Sequence, residues 1–144
     1  MYDKNFVSMD QMPVIVSDLV SEIDEAGISP KVIIAISKGG LIPATMISYY
    51  YDCPIVTYDP VEDCFSTNND ISSECIIVDD VIDTGNTVNS VISLLEDEFF
   101  FTKEDISKIR VASIFATRNN TIVDFYHDEI SYHDSVSFEF KQFI

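Results

Sequence analysis

The sequence predicts a one-domain α/β fold, with a mostly parallel central sheet flanked by helices. Two apolar runs carry this expectation, Val32-Ile33-Ile34-Ala35-Ile36-Ser37 and Cys75-Ile76-Ile77-Val78. Each leads into a short glycine-containing loop and then into apolar residues at helical spacing. Strands buried on both faces and alternating with helices are what a parallel sheet requires. The third observation is size: 144 residues, 47% of them hydrophobic, are enough to bury one core.

In chain order, Lys4 to Ser8 reads as a short edge strand. A helix follows with Met12, Ile15, Val16, Leu19 and Ile23 on one face. Asp10 is its expected N-cap, which places Pro13 in the first turn, and Gly27 ends it. After the first buried strand comes Lys38-Gly39-Gly40, then a helix opening on Leu41-Ile42-Pro43-Ala44. Pro54 to Tyr58 is a third strand. Residues 59–73, rich in Asp, Asn, Ser and Thr, read as a mobile loop. Val88, Val91, Ile92, Leu95 and Phe99 mark the helix after the second run. Ile109 to Phe115 and Ile122 to Tyr126 are the last expected strands. The tail from Ile130 to Ile144, with Tyr132, Phe138, Phe140 and Phe143, can join the N-terminal segment in a small hood (residues 1–8 and 127–144).

The central stretch is Cys75-Ile76-Ile77-Val78-Asp79-Asp80-Val81-Ile82-Asp83-Thr84-Gly85-Asn86-Thr87. Thr84 to Thr87 present backbone N–H groups, two hydroxyls and one glycine at a helix start, an anion seat whose usual occupant is phosphate. Asp79 and Asp80 suit hydroxyls, or a divalent cation bridging to hydroxyls. Together they describe a site for a ribose 5-phosphate with Mg²⁺. Lys38-Gly39-Gly40 is either a second anion seat with one cation in it or a tight turn with a solvated lysine. Asp83, between the sugar acids and the phosphate loop, can reach an incoming base or cap the loop through its own side chain.

Eight basic and 25 acidic residues give a net charge of −17. Nucleic acid and anionic membrane surfaces are therefore poor partners. A small anionic substrate needs Mg²⁺ and local backbone donors. No membrane-spanning stretch or signal-peptide core is visible, and Cys53, Cys64 and Cys75 lack disulfide or zinc spacing, so a cytoplasmic protein is expected. His127 and His133 receive no role. Tyr49-Tyr50-Tyr51 is helix-end packing or a contact between two copies.

The thirteen-residue stretch resembles, at every position, the PRPP-binding motif of the type I phosphoribosyltransferases. The likeness is nearest to the short bacterial xanthine–guanine branch. Phe6-Val7-Ser8, Ser37-Lys38-Gly39-Gly40-Leu41 and Ile114-Phe115-Ala116-Thr117 fall in corresponding order. The resemblance implies that Asp79 and Asp80 hold the ribose hydroxyls and Mg²⁺, and that Thr84, Gly85, Asn86 and Thr87 hold the 5′-phosphate. It further implies that Ser37, Lys38, Gly39 and Gly40 line the diphosphate, with Lys38 catalytic in stabilising the departing charge, and that residues 59–73 are a closing lid. In the 6-oxopurine enzymes an acid at the position of Asp83 acts as acid/base on the purine. Dimers are common in the family.

Two departures stand out. Between Lys31 and Lys103 the only basic residue is Lys38, so this lid lacks the cations that family lids commonly bring to pyrophosphate. Thr117 stands where the branch carries a lysine that reads the purine 6-oxo group, so either Thr117 with Arg118 next to it takes over at the base or the base differs. Phe138 and Phe140 are the candidates for stacking on the base. The expected function is transfer of the phosphoribosyl group from PRPP to a nucleobase, a 6-oxopurine such as guanine, xanthine or hypoxanthine, in salvage. The rivals are a non-catalytic PRPP- or nucleotide-binding regulator of the same fold and a transferase for a pyrimidine or another acceptor.

Overall fold

The computed structural model describes residues 5–131 and 134–142. Tyr132, His133, Phe143 and the first residues of the expected hood lie outside them. In chain order the elements are β1 (Phe6–Val7), α1 (Met12–Glu25), β2 (Val32–Ile36), α2 (Leu41–Tyr51), β3 (Ile55–Asp59) and β4 (Cys64–Phe65). Then follow β5 (Cys75–Ile82), α3 (Asn86–Phe99), α4 (Lys103–Lys108), β6 (Arg110–Thr117), β7 (Phe125–Ile130) and β8 (Ser137–Phe138).

Six strands form one sheet in the order β4-β3-β2-β5-β6-β7, parallel throughout except for β4. From β2 the chain moves outward to β3, then returns to place β5 on the other side of β2. The β2/β5 boundary is thus the topological switch point, and the loops after these two strands open there, where ligands of such sheets bind. β1 and β8 pair with each other in a separate two-stranded parallel ribbon, joining the two terminal segments.

The side chains alternate across the sheet. Ile33 and Ala35 of β2 and Ile76 and Val78 of β5 pack with α1, Ala44 and Ile47 of α2, and the terminal ribbon. Val32, Ile34, Ile36, Cys75 and Ile77 pack on the other face with Val88, Val91, Leu94 and Leu95 of α3. β2 and the Cys75–Val78 half of β5 are buried on both faces, so these two runs show no polar positions. Ile77, fully buried in the middle of that second layer, is expected to cost about 2–5 kcal/mol when cut to alanine. Denaturant unfolding at constant slope would show it.

Some of these expectations hold and others are corrected. Asp10 is not the cap of α1: Ser8 and Gln11 form a capping box on a single 3-10 turn, Met9–Gln11, which runs directly into α1 with Pro13 at its start. Gly27 does end α1, at φ +74°. The strand expected at Ile122 to Tyr126 is β7, which begins at Phe125 and runs to Ile130. Residues 59–73 are not all loop: β4 pairs antiparallel with Tyr58 and Asp59, and Phe65 packs edge-on between Tyr58 and Phe99. Ile71 is buried as well. The tyrosine run packs α2 on α1, because the Tyr50 and Tyr51 hydroxyls both donate to the Asp24 carboxylate at 2.7 and 2.8 Å. Tyr49 stays 82% exposed. No helix among the described residues is long and apolar enough to cross a membrane.

Candidate active site

β5 runs straight through the two acids to Ile82. Acidic residues are poor strand formers, and their place in the strand is met locally. The Asp79 carboxylate accepts the Asp80 N–H at 2.8 Å, and the Asp80 carboxylate accepts the Val81 N–H at 2.7 Å. Across this pair the alternation slips by one residue: Val81 packs with the layer of Ile76 and Val78, and Ile82 with that of Ile77.

Asp80 is buried, and Asp79 beside it is half-buried. Burial, then the hydrogen bond and charge of Asp80, hold the Asp79 carboxyl well above the ordinary carboxylate range. Burial pushes Asp80 the same way, but the hydrogen bonds from Asp79 and Lys141 and the Lys141 charge outweigh it and keep it low. The two environments thus push the pair apart, Asp79 toward its neutral form and Asp80 toward its charged form. That charge is met by the Lys141 ammonium, which contacts Asp80 Oδ2.

The loop after β2 lies against this pair. A Cβ on Gly39 would stand 2.6 Å from the Asp80 carboxylate, and one on Gly40 would stand 2.3 Å from the Val78 carbonyl oxygen. Both glycines are needed because the loop rests on the neighbouring strand. The Ser37–Lys38 peptide is cis, the Ser37 hydroxyl donates to the Tyr58 carbonyl at 3.1 Å, and the Lys38 side chain is exposed.

The loop after β5 is shorter than the sequence implies, since α3 already begins at Asn86. Gly85 caps it at φ +82°, a conformation that favours glycine, and the Thr84 hydroxyl accepts the Asn86 N–H at 3.2 Å. Asp79 and residues 81–88 line a cavity of about 150 Å³ at this helix start. A second cavity of about 240 Å³ adjoins it, lined by Val81, Asp83, Thr117, Ile130, Ser131, Asp134 and Val136. Asp83 borders both, and also the hollow beneath Arg118 and Asn120. Its backbone carbonyl accepts from the Thr117 hydroxyl at 3.1 Å and from Asn120 Nδ2 at 2.8 Å. Its exposed carboxylate has no partner among the described residues. Loop capping thus falls to Thr84, and the Asp83 carboxylate faces open space. A larger cavity, about 270 Å³, lies at the opposite ends of β5 and β6 among Pro30, Glu74, Lys108 and Arg110, and holds none of these residues.

The chain matches the phosphoribosyl transferase domain model over residues 5–140. It belongs to that family. As a phosphoribosyltransferase it shares its fold with a purine phosphoribosyltransferase from Pyrococcus horikoshii, at a TM-score of 0.75 and 24% identity, over 99% of this chain and 97% of that one. A xanthine-guanine-hypoxanthine phosphoribosyltransferase from Helicobacter pylori gives 0.73 and 16%, over 96% and 92%. An orotate phosphoribosyltransferase from Aeropyrum pernix gives 0.64 and 15%, over 83% and 71%. At these identities the likeness is one of fold, and it spans enzymes named for different bases. No curated protein sequence matches the chain.

Within this phosphoribosyltransferase, Ser37 to Gly40, Asp79, Asp80 and Asp83 to Thr87 converge on the switch point. The four residues singled out for the base do not all join them. Thr117 is buried and spends its hydroxyl on the Asp83 backbone. Arg118 turns its 78% exposed guanidinium toward Glu129, at 3.7 Å. Phe138 and Phe140 stack on each other with centroids 5.0 Å apart and are buried in the core, Phe138 also against Phe115. As placed, neither ring offers a free face to a base. Three residues that the sequence reading passes over do reach the site: Asn120, Asp134 and Lys141. A lone cation in the run Phe138-Glu139-Phe140-Lys141 was the one visible signal for the last.

Proposed function

We propose that the protein transfers the 5-phosphoribosyl group of PRPP to a ring nitrogen of a 6-oxopurine and releases pyrophosphate. The observation that carries this reading is the Asp83 carboxylate, uncommitted and shared by the helix-start cavity and the cavity beside it. Thr84, Gly85, Asn86 and Thr87 seat the 5′-phosphate at the start of α3. Asp79 and Asp80 take the ribose hydroxyls, and Ser37 to Gly40 take the diphosphate, with Lys38 contributing charge. The C1–O bond breaks with its electron pair leaving on pyrophosphate, and the ring nitrogen lone pair forms the new C1–N bond. The proton given up by the ring passes to the Asp83 carboxylate.

Among the described residues no three His, Cys, Asp or Glu side chains are grouped to hold a metal ion. A divalent cation fits only if substrate oxygens complete its shell. Mg²⁺ meets that description, being held commonly by one or two carboxylates plus substrate phosphates. Asp79 and Asp80 are the residues that would hold it, and bound there with PRPP it offsets charge on the diphosphate.

The adjoining cavity has the chemistry of a base pocket. Val81, Ile130 and Val136 give it apolar walls for a planar ring, while Asp83 and Asp134 place carboxylates at its edge. Carboxylates accept from ring N–H and exocyclic amino groups, which favours guanine among the 6-oxopurines. The test is kcat/KM across guanine, hypoxanthine, xanthine, adenine, uracil and orotate. The 6-oxopurines are expected to exceed the other three by about 100-fold or more, since a site built to bond specific edge groups leaves them unpaired with the wrong base. A preference for uracil or orotate overturns the choice of base and keeps the transfer.

The lid supports a second reading. Residues 59–73 carry Asp59, Glu62, Asp63 and Asp70 and no base, and β4 ties their first half to the sheet. A regulator that binds PRPP without turnover fits a lid that brings no charge to the leaving group. PRPP binding by calorimetry, with no pyrophosphate released for any base, would favour it.

A further inference from the structure

We propose that Lys141 is a second cation of the diphosphate site: it rests on Asp80 in the free protein and moves to the diphosphate when PRPP binds. This rests on the PRPP reading given above. The tail is fixed where it needs to be. Glu139 accepts the Met9 N–H at 2.8 Å, Phe138 pairs in register with Val7, and the turn Glu139–Lys141 then turns Lys141 back over the Phe138 ring at 5.0 Å. From there the ammonium reaches Asp80, across 61 residues of sequence.

Asp80 Oδ2, the atom that Lys141 contacts, is also 2.6 Å from the place a Gly39 side chain would occupy. The ammonium and the Lys38-Gly39 loop therefore meet at one carboxylate oxygen, at the junction of the two switch-point loops. The Lys141 side chain is 49% exposed while that of Asp80 is 10% exposed, so the cation is open to a ligand that its partner does not face. A divalent cation arriving on Asp80 with substrate would compete for the same oxygen and repel the ammonium toward the nearest anion. In a chain of net charge −17 whose lid has no basic residue, Lys38 is otherwise the one cationic side chain that these two loops offer that anion.

Binding of inorganic pyrophosphate, followed by calorimetry without turnover, reads this directly. Lys141→Met is expected to weaken pyrophosphate binding by about 10–100-fold, the range for a hydrogen bond to a charged group. Lys141→Arg is expected to recover most of it. The dependence of binding on ionic strength should flatten in Lys141→Met. Retained melting behaviour in the arginine variant separates a folding defect from lost affinity. Unchanged pyrophosphate affinity in Lys141→Met overturns the assignment and leaves the transferase reading intact. Tighter binding in Lys141→Met also overturns it, because the lysine then only blocks Asp80. Failure of the unaltered protein to bind either pyrophosphate or PRPP removes both readings together.

Discussion

Asp83→Asn is expected to lower kcat by about 10²–10⁴-fold, the usual contribution of a positioned proton acceptor, while KM for PRPP changes by no more than about threefold. The geometry makes this substitution unusually clean. The Asp83 backbone is held through its carbonyl by Thr117 and Asn120, so the chain path does not depend on the carboxylate. The side chain has no partner among the described residues to lose. Asparagine keeps the shape and can still accept a hydrogen bond, but it cannot take a proton. A step that needs a base at the ring nitrogen then slows, and the steps that seat phosphate and ribose do not. Steady-state kinetics over a range of PRPP concentrations would decide it. Equal losses in turnover and in PRPP affinity would place Asp83 in the binding of PRPP instead.

Gly40→Ala is expected to weaken PRPP binding by at least about 100-fold, the penalty that a displacement of about 1 Å imposes on a positioned site. The added methyl would stand 2.3 Å from the Val78 carbonyl oxygen, 2.9 Å from that of Ile36 and 3.1 Å from the Asp79 Cα. All three are backbone atoms, so no rotamer change relieves the clash and the loop must lift off β5. Its own anchors go with it, because Gly40 N–H donates to Ile36 at 2.8 Å and its carbonyl starts α2 by accepting from Ala44 at 2.9 Å. Overpacking of this kind costs about 1–3 kcal/mol of stability. Gly27→Ala is the control. Nothing stands within 4 Å of its Cβ position, and only the positive φ is unfavourable, so it should cost about 1 kcal/mol and leave PRPP affinity unchanged. Calorimetric titration and denaturant melts of the two variants, side by side, separate site displacement from backbone strain.

β2 and β5 were legible because burial on both faces leaves an uninterrupted apolar run, and α3 because its apolar stripe follows the helical period. The glycine loops were legible as anion seats for a local reason: backbone N–H groups at a helix start need no distant partner. The extent of β5 was not, since Asp79 and Asp80 look like a strand end until their own carboxylates are seen taking the next N–H groups. β7 was misplaced because an edge strand shows little periodicity. Phe125 and Ile130 are its buried residues, whereas the more apolar Ile122 packs toward Gly85. The fate of Phe138 and Phe140, and the contact of Lys141 with Asp80, depend on how the tail returns over the sheet. No local pattern encodes a pairing across such a separation.

Phosphorus NMR of PRPP mixed with guanine, Mg²⁺ and the protein tests the central claim most directly. Phosphoribosyl transfer predicts that the diphosphate signals of PRPP give way to free pyrophosphate and a nucleoside 5′-monophosphate in equal amounts, and that Asp83→Asn nearly abolishes the change. PRPP signals that persist, broadened by binding but never converted with guanine or any other base, would contradict it.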